Sequence, residues 1–219
     1  MPPTSAQLLK LALPLVKTHG FTREALARSV LSLPPSERSY TEPLSDSAVT
    51  ALFGKGDQAK RTLIDAWMQD GLRHMAGSAV ATGNAPSLKD AFRARLKYNE
   101  DVLSHLPAAY ALLATNSNFH IVDPMPALRH ASTVADNACA IVQDRSLQLD
   151  WYAKRASLAA IYATAELHQL TSPHTAYSFL DSLFDTSASV KASVDEVSLY
   201  STYIMKSWTG IIKSSGVLL

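Results

Sequence analysis

Apolar side chains in this chain recur three and four residues apart, the period of a helix face, and rarely alternate one by one as a half-buried strand would. Leu8, Leu9, Ala12 and Val16 share a face of a first helix, which Thr4 or Ser5 caps and His19-Gly20 ends. Pro14 stands inside that helix and is expected to kink it. Thr22 caps a second helix carrying Ala25, Leu26, Ser29, Val30 and Leu33, which Pro34-Pro35 stops. After a polar, proline-bounded loop over residues 34–43, Ser45-Asp46-Ser47 caps a short third helix through Ala48, Val49, Leu52 and Phe53, and Gly54 terminates it. Asp57 opens a longer helix through Leu63, Ile64 and Trp67. Further helices are expected over residues 87–105, 107–115, 126–142 and 151–170, and from 175 into the 180s, with Asn-, Ser-, Pro- and Gly-rich loops at 83–86 and 116–124. The pattern predicts an all-α protein without internal repeats.

Composition narrows the function classes. With 47% of 219 residues apolar, the chain can bury a substantial core. Lys and Arg number 20 against 19 Asp and Glu, so no strong overall field draws it to nucleic acid or anionic membranes. Lys10, Lys17, Asp65 and similar charges interrupt every apolar run short of the ~20 residues a membrane-spanning helix needs. The single cysteine, Cys139, lies in an alanine-rich stretch and reads as a small buried hydrophobe. The first residues hold no arginine before Arg23 and so lack the character of a mitochondrial presequence; import is unnecessary or the presequence was trimmed.

Catalytic chemistry finds little footing. The histidines at 19, 74, 105, 120, 130, 168 and 174 are scattered without ligand spacing and read as surface or capping residues. Glu166 and His168, two residues apart, face different sides of a helix. The glycines at 54 and 56 lack the preceding strand and the further glycines of a phosphate loop. No catalytic residue, metal site or cofactor is expected.

Three short helices, then Phe53-Gly54-Lys55-Gly56-Asp57 and a long fourth helix, resemble the start of TetR-type regulators. The run DWYAKRASLAAIYATAEL at residues 150–167 resembles more specifically the signature of the ninth Coq protein family. LKDAFRARL at residues 88–96, with Pro107 and Leu112 beyond it, resembles that family's corresponding helix. Leu106 stands where the family often has a larger aromatic, and Pro14 interrupts the first helix. The resemblance implies a TetR-regulator-like helical bundle: a degenerate helix-turn-helix region and start of helix four over residues 5–67, a lipid-binding and dimerisation bundle over 68–192, and an amphipathic membrane-binding helix over 197–213. It implies a mitochondrial, peripheral protein on the matrix side of the inner membrane. Such a protein binds isoprenoid lipids or quinones and assists the demethoxyubiquinone hydroxylase within the coenzyme Q synthesis complex.

The alternative is a ligand-responsive DNA-binding regulator of the same fold. Base readout calls for Arg, Lys, Asn or Gln on the inserted helix, and residues 45–53 contain none. Lys55, Lys60 and Arg61 suit phosphate contacts only, and the loop at 34–43 is much longer than the 3–4 residues of a DNA-reading turn. Nucleic acid is not an expected partner.

Four groups of candidate residues follow. Trp67, Phe92, Leu96, Leu103, Tyr110, Leu113 and Tyr162 are large side chains on the middle helices; taken alone they suit ordinary core, and the resemblance implies that they line a lipid tunnel. Trp151, Tyr152, Lys154 and Arg155 crowd two aromatics and two cations into the first turn of a helix whose core-facing positions are Leu158, Ile161, Tyr162 and Ala165. Cations there oppose the helix dipole and require an acidic partner, inside this fold or on another protein. The resemblance implies the hydroxylase, and both readings stay open. Ala156, Ala159, Ala160 and Ala163 give the same helix a small-residue side suited to a homodimer or to packing within the chain. Near the C-terminus, Val197, Tyr200, Ile204, Trp208 and Ile211 form an apolar stripe; with Tyr203 and Ile212 beside it and Lys206 and Lys213 within reach of head groups, it suits a membrane interface.

Overall fold

The computed structural model describes residues 3–34, 40–81, 86–115, 123–144 and 149–189, and every regular element among them is helical. None of these helices is long and apolar enough to cross a membrane. The expected helix at 197–213, with Tyr200, Tyr203, Ile204, Trp208, Ile211 and Ile212, lies outside the described residues, as does His120. The chain divides into two units, Met1–Asp70 and Gly71–Leu219.

In the N-terminal unit, α1 (Ser5–Ala12) begins where Thr4 Oγ1 accepts the Gln7 amide at 3.2 Å. Pro14 sits in a tight 3-10 turn, Leu13–Leu15, after which α2 (Val16–His19) resumes. The turn keeps Leu8, Ala12 and Val16 buried on one side, so the kink does not interrupt the apolar stripe. Thr22 caps α3 (Arg23–Arg28). The helix expected to run on to Leu33 instead tightens to 3-10 at Ser29–Ser32, where the buried Ser29 hydroxyl donates to the Leu26 carbonyl at 2.6 Å. Ser45 caps α4 (Asp46–Phe53), and Gly54 ends it at φ 107°, a conformation only glycine adopts without strain.

Arg23 pins α4 from outside. Its guanidinium donates to Asp46 Oδ1 at 2.8 Å, to Thr50 Oγ1 at 2.7 Å and to the Gly54 carbonyl at 3.3 Å. The long α5 (Asp57–Ala81) contributes Leu63, Ile64 and Trp67 to this core, with Trp67 set edge-on to Phe21 at 5.5 Å.

The C-terminal unit is built from α6 (Leu88–Asn99), α7 (Leu106–Ala114), α8 (Met125–Ile141), α9 (Leu149–Thr171) and α10 (Ala176–Ser189). The single helix expected over 87–105 is broken. It ends at Asn99 and passes through a 3-10 turn at Glu100–Val102, and a new helix starts at Leu106. Pro107 explains the new start: it lacks an amide hydrogen and is tolerated in a helix's first turn, which is where α7 places it. α9 lies along α8 and α10 and also meets α6. As a result, every residue from Ile161 to Leu167 is buried, whichever way it points. Two ion pairs bind α6 to α10, Lys89–Asp185 at 2.8 Å and Arg93–Asp181 at 2.5 Å.

Candidate functional site

An amphipathic helix hides polar residues on its outer face, but enclosure of α9 on all sides forces Glu166 inside, where it is 2% exposed. A buried carboxylate must find donors, and four helices supply them. Its Oε1 accepts from Tyr162 Oη at 2.6 Å, Tyr110 Oη at 2.8 Å and Asn99 Nδ2 at 3.0 Å, while His130 Nε2 lies 3.5 Å away. Asn99 also donates to Gln169 Oε1 at 3.2 Å, and Gln169 donates to the Leu96 carbonyl at 2.7 Å. The fully buried Arg95 donates to Asn99 Oδ1, placing a cation in the same cluster. Gly71 on α5 makes room for it, since a Cβ there would stand 2.9 Å from Arg95 Cζ.

The charges in this cluster support one another. Burial alone would raise the Glu166 pKa, but His130 and the Arg95 charge beside it, with the hydrogen bond from Tyr162, overcome it and hold the group at about 2. Burial and the neighbouring carboxylate push the Tyr110 and Tyr162 phenols well up, so both remain donors. Tyr162 also meets Phe92 edge-on at 5.5 Å, which joins the polar cluster to an aromatic layer continued by Phe184.

The second feature stands at the start of α9. α8 ends in a turn where Gln143 takes φ 53° and the Asp144 amide donates to the Cys139 carbonyl at 3.0 Å, which returns Asp144 toward the helix that follows. Lys154 Nζ reaches Asp144 Oδ1 at 2.8 Å, and Arg155 Nε lies 2.9 Å from Asp136 Oδ1. The Arg155 guanidinium covers the Trp151 ring, its Cζ 3.8 Å from the centroid, and Trp151 meets Tyr152 at 4.6 Å. The acidic partners that the helix dipole requires are therefore within the fold, and Tyr152 remains 70% exposed.

α8, α9 and α10 lie within residues 125–191, the stretch that matches the COQ9 family. The chain is similar to proteins of the COQ9 family. It is 28% identical over 161 residues to the bovine ubiquinone biosynthesis protein COQ9, mitochondrial, an alignment that covers 74% of this chain and 49% of that protein. The human protein of the same name is 28% identical over 170 residues, covering 74% and 49%. The Schizosaccharomyces pombe protein is 27% identical over 127 residues, covering 56% and 49%. The chain thus spans about half the length of these relatives.

The structure brings some of the candidate residues together. Phe92, Leu96, Tyr110 and Tyr162 meet in the core of the C-terminal unit, while Leu103 and Leu113 are half-buried. Trp67 belongs to the core of the N-terminal unit. Trp151, Tyr152, Lys154 and Arg155 form one cluster, but their cations end on Asp144 and Asp136. Cys139 is buried, as its surroundings in the sequence suggested.

One expectation is corrected. His130 is neither a surface nor a capping residue: it is 7% exposed and faces Glu166, because α8 turns the face carrying Ala131, Val134, Ala135 and Ala138 inward and His130 lies on that face. Sequence reasoning also passed over Arg95, Asn99, Glu166 and Gln169. Their one signal was spacing, since Arg95 and Asn99, like Tyr162 and Glu166, stand four apart on a helix face.

Proposed function

We propose that this chain serves ubiquinone biosynthesis as a non-enzymatic accessory protein. It holds an isoprenoid lipid or quinone within a TetR-like helical bundle and presents it to the demethoxyubiquinone hydroxylase on the matrix side of the mitochondrial inner membrane. The observation that carries the reading is α9: its run at 150–167 bears the family's signature, lies inside the matched stretch, and pairs an exposed aromatic corner with a core rich in large apolar and aromatic side chains. The relatives are named as mitochondrial ubiquinone biosynthesis proteins, in keeping with that role. An isoprenoid tail gains about 0.8 kcal/mol per buried CH₂, so apolar walls from Phe92, Leu96, Leu103, Leu113 and their neighbours suffice to retain it. Residues 197–213, with tyrosines and a tryptophan on an apolar stripe beside lysines, are the proposed membrane contact. A homodimer through the small-residue side of α9 belongs to the same proposal.

The test is complementation. Cells lacking their own COQ9 relative and expressing this chain should regain ubiquinone, measured by mass spectrometry of lipid extracts. Unrestored ubiquinone, with the chain expressed and imported, contradicts the proposal.

A further inference from the structure

The bonds centred on Glu166 tie α6, α7, α8 and α9 together, but α10 is fastened by other means. Tyr177, Asp181 and Asp185 stand one turn apart along α10 and meet Glu100, Arg93 and Lys89 in reverse chain order. Lys89 Nζ stands 2.8 Å from Asp185 Oδ1 and Arg93 Nη2 2.5 Å from Asp181 Oδ2, while the Tyr177 hydroxyl donates to Glu100. Behind this ladder Ala176, Leu180 and Leu183 are buried, and Phe184 lies 5.6 Å from the Phe92 ring. α10 therefore covers the aromatic layer where Phe92 meets Tyr162. The middle rung is incompletely made: Arg93 Nε and Asp181 Oδ1 are buried without a hydrogen-bond partner among the described residues. The pair bears the cost of desolvation with one short bond in return. Lys89 and Arg93 also belong to a stripe along α6 that continues to Lys97, which is exposed and has no ion pair among the described residues. The other anions beside the stripe are Asp90, 4.0 Å from Arg93, and Glu100, which Tyr177 engages.

We propose that α10 is a lid latched over the aromatic core by Asp181 and Asp185, and that Lys89, Arg93 and Lys97 are a phosphate-binding stripe through which an anionic lipid surface releases it. Lys97 meets the surface first. Phosphates then take the place of Asp181 on Arg93 and of Asp185 on Lys89, and the negative surface repels the two displaced carboxylates. This rests on the lipid-binding reading given above and adds where the ligand enters and what admits it. Phe92, Leu96, Tyr110 and Tyr162 are at most 2% exposed, so a ligand reaches them once a wall has moved. Moving α6, α7 or α8 would strip a buried carboxylate of a neighbour that supports its charge, and moving α9 would carry the carboxylate away. Moving α10 breaks the half-made ladder instead. The hinge is the turn at Pro173–Thr175, after which His168 stacks on Phe179 at 4.1 Å and keeps the first turn of α10 beside α9.

The experiment is hydrogen exchange of the full chain, read by mass spectrometry at about 150 mM NaCl, with circular dichroism confirming that each variant is folded. Phosphatidylcholine–cardiolipin vesicles should speed exchange of the α10 amides about tenfold and leave the α9 amides beside Glu166 protected. Phosphatidylcholine vesicles, and inorganic phosphate at about 10 mM, should leave α10 closed. Lys97→Gln should cut the effect of the anionic vesicles by about half or more. Asp181→Asn with Asp185→Asn should open α10 about tenfold in buffer alone. The same pair should speed uptake of a ubiquinone carrying two isoprene units, followed by tryptophan quenching, by about as much. The exchange Arg93→Asp with Asp181→Arg should keep α10 protected in buffer, which damage to the fold by either change alone would not allow. Unchanged α10 exchange on anionic vesicles overturns the release, and inorganic phosphate acting as strongly as the vesicles overturns the surface as its trigger. Quinone uptake at the wild-type rate by the double asparagine variant, with its α10 open, overturns the lid and leaves the lipid-binding reading standing. No quinone uptake by any form, open or closed, removes the lipid-binding reading and the lid with it.

Discussion

Replacing Glu166 with glutamine keeps the shape of the side chain and removes only its charge, so it isolates what the buried carboxylate contributes. In the folded protein this group titrates at about 2 against an ordinary value of 4.5. At 1.36 kcal/mol per pKa unit, that gap is about 3 kcal/mol. Because the folded value is the lower one, the stabilisation is fully present above pH 4.5 and is lost as pH falls through 2. Glu166→Gln lacks it at every pH and leaves the Arg95 cation without its buried anion. The variant should be about 3 kcal/mol less stable than the wild type at neutral pH, and the two should converge between pH 4.5 and 2. Urea titrations at a series of pH values, followed by circular dichroism, measure the difference, and hydrogen exchange at α9 amides assigns the transition to the C-terminal unit. With a slope of about 1–3 kcal/mol per molar urea, the midpoint should move by roughly 1–3 M. A variant as stable as the wild type at pH 7, or an offset that persists unchanged at pH 2, would refute the claim that an ionised Glu166 organises this core.

Tyr162→Phe removes the 2.6 Å bond to Glu166 and should cost about 2 kcal/mol while moving the onset of acid unfolding to higher pH, both read from the same titrations. Arg23→Ala frees α4 from its clamp on Asp46, Thr50 and Gly54; about 1 kcal/mol should be lost, with faster amide exchange in α4, because most of these bonds are partly solvated. Gly71→Ala places a methyl 2.9 Å from Arg95 Cζ and should lower the thermal midpoint by the equivalent of about 1–3 kcal/mol, measured by calorimetry.

What the sequence disclosed about the fold and what it concealed have a common physical basis. Caps and stops are local, so Thr4, Thr22, Ser45 and Gly54 mark helix ends that the structure reproduces. Pro107 was just as visible and marked the start of the next helix, but no local signal announced that the preceding helix would tighten to a 3-10 turn at Glu100–Val102. Of the candidate site, the aromatic and basic residues at 151–155 were legible as a cluster, because they are adjacent in the chain. Their acidic partners were not, since Asp144 depends on the turn at Gln143 and Asp136 on how α8 lies against α9. The Glu166 cluster draws on four helices separated by up to seventy residues, as between Asn99 and Gln169. No periodicity within one helix announces such a site, and Glu166 read alone suits any solvated face.

The central claim, that the bundle holds an isoprenoid lipid or quinone for its partner, is tested most directly by extracting the purified chain with organic solvent and identifying what it carried by mass spectrometry. Co-purified quinone or polyisoprenoid, close to one molecule per chain and reduced when Phe92 and Leu96 are replaced by glutamine in a variant that still folds, is the predicted result. A protein that yields no such lipid, and instead binds duplex DNA tightly, would contradict it.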